Sequence, residues 1–436
     1  MNLFPKEGYT FSQGWRLVQT MSLIATFLIS EPVTGAGDGQ NRGEMMVLCS
    51  LYNQGLKILQ LKNSTLAEGT ITKWEKIEQM NMSTLDATTF DYERTKDYDA
   101  TVWKKKKESF NQVLLAPAST GVKLRRFVNS RRREQLNARL HQLLIAATVL
   151  KDAIVAGEEH LNNHLETAKD HIRTGLFGNG NSKEVEGSVA NDRQAGCGAT
   201  GAVTAGAKSG HTLLNDLLCL CAVGDSTNPD GKACTGQAAL TTQFKKTGGS
   251  AGEGLSAWSE VKKLCSSKLK MGEPNPSRLQ AGVDSYLAFV KGKQDAYIVG
   301  ISSSGNGQCA ASHTDAACVS YGKNTDHPGP AIPWATAFLA AADELRAVDE
   351  QKRQLDSLEN QLAALEPLSK TLYTGAVHEE ENDRDNSPRQ TLKGPDDSKV
   401  GYTTNSSEER RINSGSSGRV GVSFMTAATV FRLFTN

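Results

Sequence analysis

A chain of 436 residues can bury a large core and hold two or three domains. Its 49 basic and 48 acidic side chains leave a formal charge of +1, so no global field points to nucleic acid, and none is expected as a partner. Aromatics at 6% suit long helices with Gly-rich connections better than a β-sandwich.

Taken in order, residues 1–37 read as a secretion signal. Lys6 and Arg16 precede an apolar run from Met21 to Ile29, and Thr34 and Ala36 stand like the −3 and −1 positions of a cleavage site. The run is too short to span a bilayer, and a buried helix is the alternative. Residues 41–82 read as helical, with Leu51, Leu59, Trp74 and Ile77 among the apolar contacts. Asn63-Ser-Thr and Asn81-Met-Ser are glycosylation sequons, and Asn405-Ser-Ser is a third. From Trp103 to Arg133 the chain is basic, with Glu108 its one acid. A polyanion site and a solvated face balanced by acids of neighbouring helices both fit, and the near-zero net charge favours the second.

The organising stretch is 131–173. Leu136, Leu140, Leu143, Ala147, Leu150 and Ile154 follow alternating steps of four and three, a heptad seam that needs a partner helix. The phase slips near Gly157 and resumes at Leu161, Leu165, Ala168 and Ile172. At about 1.5 Å per residue such a helix runs roughly 65 Å, so an elongated molecule is expected. The answering seam lies in 334–365: Phe338, Ala341, Leu345, Val348, Leu355, Leu358, Leu362 and Leu365, with Pro367 expected to end the helix. His160, His164 and His171 share roughly one face of the first helix, but HLNNH lacks the glutamate of a zinc-protease motif, and no metal or cofactor is expected.

Eight cysteines, an even number, avoid both seams: Cys49, Cys197, Cys219, Cys221, Cys234, Cys265, Cys309 and Cys318. No CxxC pair occurs, so disulfides and a secretory route are expected rather than zinc. The pairing is open among 105 possibilities. The loop-rich stretch 178–330 is expected to form a head with small sheets. Gly201 to Ser209 resembles a phosphate loop, but Ala207 is inserted before Lys208 and no apolar strand precedes it. Leu213–Val223 reads as a buried helix end or a strand, and Asp295–Ile301 as the best strand. Leu287–Val290 and Tyr297–Ile301 are the apolar segments a membrane action would use, with plain core packing as the alternative.

Residues 374–413 are polar and read as a linker. Residues 414–436 are small and then apolar, like a lipid-anchor signal with Ser414 as its attachment residue, although Arg432 interrupts the tail. No nucleophile–base or carboxylate pair stands at a readable spacing, so an enzyme is not expected. The fold class is mainly α: an antiparallel coiled coil or bundle with a disulfide-bearing, loop-rich head.

Leu48-Cys49 after the signal, Cys197-Gly-Ala-Thr-Gly, Leu218-Cys-Leu-Cys-Ala222, Cys234, Cys265 and the Cys309–Tyr321 segment precede a long leucine-rich helix. Together they resemble the class B type of N-terminal domain of the trypanosome variant surface glycoproteins, over residues 38–373. The resemblance implies a rod, a disulfide-bearing head, N-glycans, a homodimer, a membrane held through a lipid anchor, and a shielding role in antigenic variation. Family members usually add a small cysteine-rich C-terminal domain, whereas no cysteine follows Cys318 here. That departure implies a specialised relative, a receptor or serum-resistance factor facing a host serum protein or lipid, at the cell surface or in the flagellar pocket and endosomes.

Overall fold

The computed structural model describes residues 39–92, 98–115, 123–127, 131–198, 205–224, 231–236, 240–245, 247–266, 273–293, 296–302, 309, 316–322 and 329–385. The signal segment, Asn405 and Ser414 lie outside them. The described chain is mainly α-helical, with one small sheet. Its helices are α1 Arg42–Leu59, α2 Leu66–Ser83, α3 Ala87–Asp91, α4 Ala100–Leu115, α5 Arg131–Phe177, α6 Arg193–Cys197, α7 Leu213–Cys221, α8 Glu253–Ser266, α9 Pro276–Leu287 and α10 Pro333–Asp385. The strands β1 Lys291–Lys293, β2 Ala296–Ile301 and β3 Ala317–Ser320 form an antiparallel sheet in the order β1-β2-β3, with Val299 opposite Val319.

The chain divides into two compact units. Unit 1 comprises 1–63 and 161–350, and unit 2 comprises 64–160 and 351–436. The 47-residue α5 and the 53-residue α10 contribute a segment to each.

In unit 1 the two helices run antiparallel. Phe338 and the carbonyl of Trp334 crowd the space where a Cβ on Gly175 would stand, and His164 meets Glu344 at 2.6 Å. Leu165, Ala168, Ile172 and Leu176 of α5 are buried, as are Phe338, Ala341, Ala342 and Leu345 of α10. Helix α5 stops at Gly178, whose φ of +88° gives the left-handed end that glycine adopts without strain. Asn275 caps α9 by accepting from Ser277 N, and Pro276 occupies its first turn, where a missing N–H costs nothing.

In unit 2 the seams meet again. A Cβ on Gly157 would lie 2.7 Å from Leu355, so the phase slip read at Gly157 is a point of close helix approach. Leu136, Leu140, Ala147, Leu150 and Ile154 are buried on α5, and Leu355, Leu362, Ser369 and Tyr373 on α10. The carboxylate of Glu158 on α5 caps α2, accepting from Ser64 Oγ at 2.6 Å, from Ala67 N at 3.0 Å and from Leu66 N. Lys73–Glu359 and Lys76–Glu366 link α2 to α10.

Two sequence expectations are corrected here. Pro367 does not end α10, which continues to Asp385, so 374–385 is helix rather than linker. The proline sits on the exposed side, where water can satisfy the carbonyl deprived of its partner. Beyond it Ser369 and Tyr373 return to the buried face, and the Tyr373 hydroxyl accepts from Arg125 N at 2.8 Å and donates to its carbonyl at 3.1 Å. The helical stretch 41–82 is two helices, interrupted at 60–65 by a segment in which Asn63 is exposed.

Candidate functional site

The head is built around α7. Thr212 Oγ1 accepts from Asn215 N at 3.1 Å and donates to Ser188 O at 2.6 Å, fixing where the helix starts. Every residue of α7 is buried. Read as a strand, Cys219 and Cys221 would face one side; on a helix they diverge by about 200°, at 3.6 residues per turn. Cys219 pairs with Cys197 and Cys221 with Cys234. Cys49 of α1 pairs with Cys265 of α8, and Cys309 with Cys318 of β3, so all eight cysteines are bonded. Leu287, Phe289 and Val290 pack against the core, and Ile298 and Val299 lie within it, so these apolar segments serve packing.

Three polar side chains tie this core together. Arg193 of α6, 2% exposed, donates to the carbonyls of Cys219 (2.8 Å), Ala222 (3.2 Å) and Ala316 (3.2 Å) and lies over the Phe244 ring. Asn41 Nδ2 donates to Leu220 O at 3.0 Å and Ala317 O at 2.6 Å, joining the start of α1 to α7 and β3. Asp216 is fully buried and accepts from Gly210 N, Tyr321 Oη and Trp334 Nε1 at 2.9, 2.8 and 2.8 Å. Burial pushes its carboxyl up to about 6, against the opposing pull of those donors. Sequence reasoning singled out none of the three. An acid inside the apolar run Leu213–Cys221 was the available signal, since a buried carboxylate must find donors.

The other sequence-derived sites separate. His164 pairs with Glu344, while His160 is exposed, and no three metal-binding side chains cluster among the described residues. Ser209 Oγ turns inward, accepting from Gly206 N and donating to Gly196 O, while 199–204 lie outside the described residues. The basic stretch is largely internally engaged: Lys106 with Glu78, Arg125 with Glu380 and Glu381, and Arg126 on the carbonyls of Met82 and Leu85. Asn81 is only 6% exposed inside α2 and accepts from Asn137 Nδ2 at 3.4 Å.

One surface of unit 2 is unusual. On α5, opposite the buried seam, Ala138, Gln142, Ile145, Ala146, Val149 and Ala156 are exposed. Ile145 is 46% and Val149 52% accessible. No charged residue falls between Arg139 and Lys151. A solvated helix face ordinarily carries charges.

Long paired helices, a disulfide-braced head and a small sheet define a mainly α-helical scaffold. The family model described as the trypanosomal VSG domain matches residues 23–364, and the chain belongs to this family of trypanosome surface coat glycoproteins. A comparison with curated proteins finds no match.

Proposed function

We propose that the chain is a non-catalytic coat glycoprotein on the outer face of the plasma membrane, held through a C-terminal lipid and glycosylated at Asn63. The observation that carries this is the family match over 23–364 on a chain whose eight cysteines are all paired, as in an oxidising compartment. Mass spectrometry of the mature protein tests it. A C-terminus at Ser414 bearing a glycolipid remnant and a glycan on Asn63 are expected, and an unmodified Asn436 with a bare Asn63 refutes both points.

The uncharged face of α5 supports self-association as a homodimer. Ala146 lets a second helix approach closely around Ile145 and Val149, between the exposed charges of Glu134 and Asp152. Light scattering on the purified chain should give twice the monomer mass, and Val149→Lys should give the monomer; a wild-type monomer ends this reading.

A second reading is a specialised member of the gambiense-specific glycoprotein type, acting as a receptor or opposing the lytic factor of human serum (apolipoprotein L) at the surface, flagellar pocket or endosomes. Copy number and survival in human serum separate the two. A dense layer of this protein supports the coat, and loss of serum survival on gene deletion supports the specialised role.

A further inference from the structure

We propose that Asp216 and the two tyrosines linked to it form an acid-stabilised latch inside unit 1, joined to the start of α10, whose folded state is favoured as pH falls. The geometry carries the argument. Asp216 belongs to α7, and its acceptor atoms bind three neutral donors from three other places: Gly210 N before α7, Tyr321 Oη just after β3 and Trp334 Nε1 at the head of α10. Tyr321 Oη in turn meets Tyr286 Oη of α9. Trp334 also stacks edge-on with Tyr286 and with Phe338, so the cluster holds α10 by its first turn.

The hydrogen-bond donors to Asp216 are all neutral. The titratable groups facing the cluster are Tyr286 of α9 and Tyr321, both pushed up by burial, and Glu44 of α1, which acts on Tyr286. Glu44 is itself raised by burial, with Lys291 acting on it in the opposite sense. When ionised, Asp216 is thus a negative charge with neutral donors in a dry core, a costly arrangement, while the buried guanidinium of Arg193 sits on carbonyls at the other end of α7. The tyrosines supply the means to accept a proton. In the ionised state both hydroxyls point along the chain toward the carboxylate. One proton from solvent on Oδ2 reverses the chain: Asp216 donates to Tyr321, and Tyr321 donates to Tyr286. The chain keeps both its bonds and the buried charge disappears, while the Tyr286 proton turns out of the chain.

The sign follows. The folded carboxyl holds its proton to about pH 6, against an ordinary value of 3.8. The proton is therefore bound more tightly in the folded protein, so this contribution is fully present below the unfolded value and is lost as pH rises through 6. The folding equilibrium of unit 1 should gain on the order of a hundredfold from this group between pH 7.5 and 4. Other carboxyls oppose it, so the readout is a difference. The latch does not depend on the coat or serum-resistance reading.

The experiment is urea denaturation of the full oxidised chain at pH 7.5, 6 and 4.5, for wild type and Asp216→Asn. The amide does not titrate, and its nitrogen cannot accept from Trp334 Nε1 as Oδ2 does, so the variant carries a constant offset while wild type gains on it as pH falls from 7.5 to 4.5. Parallel curves at a constant gap overturn the latch. Should the variant fail to fold, infrared difference spectra of wild type and Tyr321→Phe decide. A buried protonated carboxyl band should fade with a midpoint near pH 6 in wild type and at higher pH in Tyr321→Phe, which removes one donor to the anion. A band already gone at pH 4.5, or an unmoved midpoint, overturns it.

Discussion

Arg193 places a full guanidinium in the core of unit 1, and its three carbonyl acceptors belong to the end of α7 and the entry to β3. Those carbonyls come where α7 has run out of helical donors, so the arginine acts as an internal cap. Arg193→Leu should leave them dry and unpaired, costing about 3 kcal/mol or more of unit 1 stability. Arg193→Lys should recover only part of this, because an ammonium cannot reproduce the planar fork. Denaturation midpoints at constant slope check both. A loss under about 1 kcal/mol for Arg193→Leu would show that water replaces the fork. A second residue-scale expectation concerns Gly254 on α8, where a Cβ would stand 1.9 Å from the carbonyl oxygen of Ala190. Backbone cannot step aside as a side chain can, so Gly254→Ala should destabilise unit 1 by a few kcal/mol, on the order expected of overpacking. Thermal melts read it directly, and an unchanged midpoint would mean that α8 shifts as a body.

At the scale of elements, Pro367 is the sharpest case. A proline inside a helix costs about 3 kcal/mol relative to alanine, from the lost bond and the ring clash. Here the exposed side softens that cost, and Pro367→Ala should raise the unit 2 midpoint by about 1–3 kcal/mol while increasing amide protection across 368–385. If the helix truly stopped before the proline, neither would change. The same residue marks what could be read from sequence. Leu136, Leu140, Leu143, Ala147, Leu150 and Ile154 announce a seam because packing repeats every seven residues, and the structure buries all of them but Leu143, which is half-buried. On α10 Leu355 and Leu362 are buried, while Leu358 and Leu365 are half-buried. The helix end was misread because proline reports only a local cost, whereas Ser369 and Tyr373 supply packing that outweighs it. Helix α7 was ambiguous for a related reason. A run that is apolar on every side has no period, so Leu213–Val223 could not declare itself helix or strand. The pairing of Cys49 with Cys265, 216 residues apart, depends on α1 packing beside α8, which nothing local encodes. Arg193 and Asn41 were missed because each looks like an ordinary surface residue until its neighbours arrive, whereas the signal for Asp216, an acid inside an apolar run, went unread.

For the molecule as a whole, the division into units is also a division of chemistry. All eight cysteines lie in unit 1, and the ranges 64–160 and 351–436 contain none. Unit 1 has a loop-rich head with many short elements, and each bridge removes freedom from its unfolded chain, typically about 2–4 kcal/mol. Unit 2 relies instead on the seam of α5 and α10, on Trp74 under the ammonium groups of Lys106 and Lys151, and on Glu158 capping α2. Reduction should therefore act on one unit and spare the other. With a strong thiol reductant at neutral pH, hydrogen exchange should accelerate in 253–266 and 213–221, whose bridges are lost, and stay slow in 66–83. Denaturant curves should split, with the early transition belonging to unit 1. Equal acceleration in 66–83 would mean that α5 and α10, each a continuous helix entering both units, carry the loss across. The two units would then unfold as one thermodynamic body despite their separate cores.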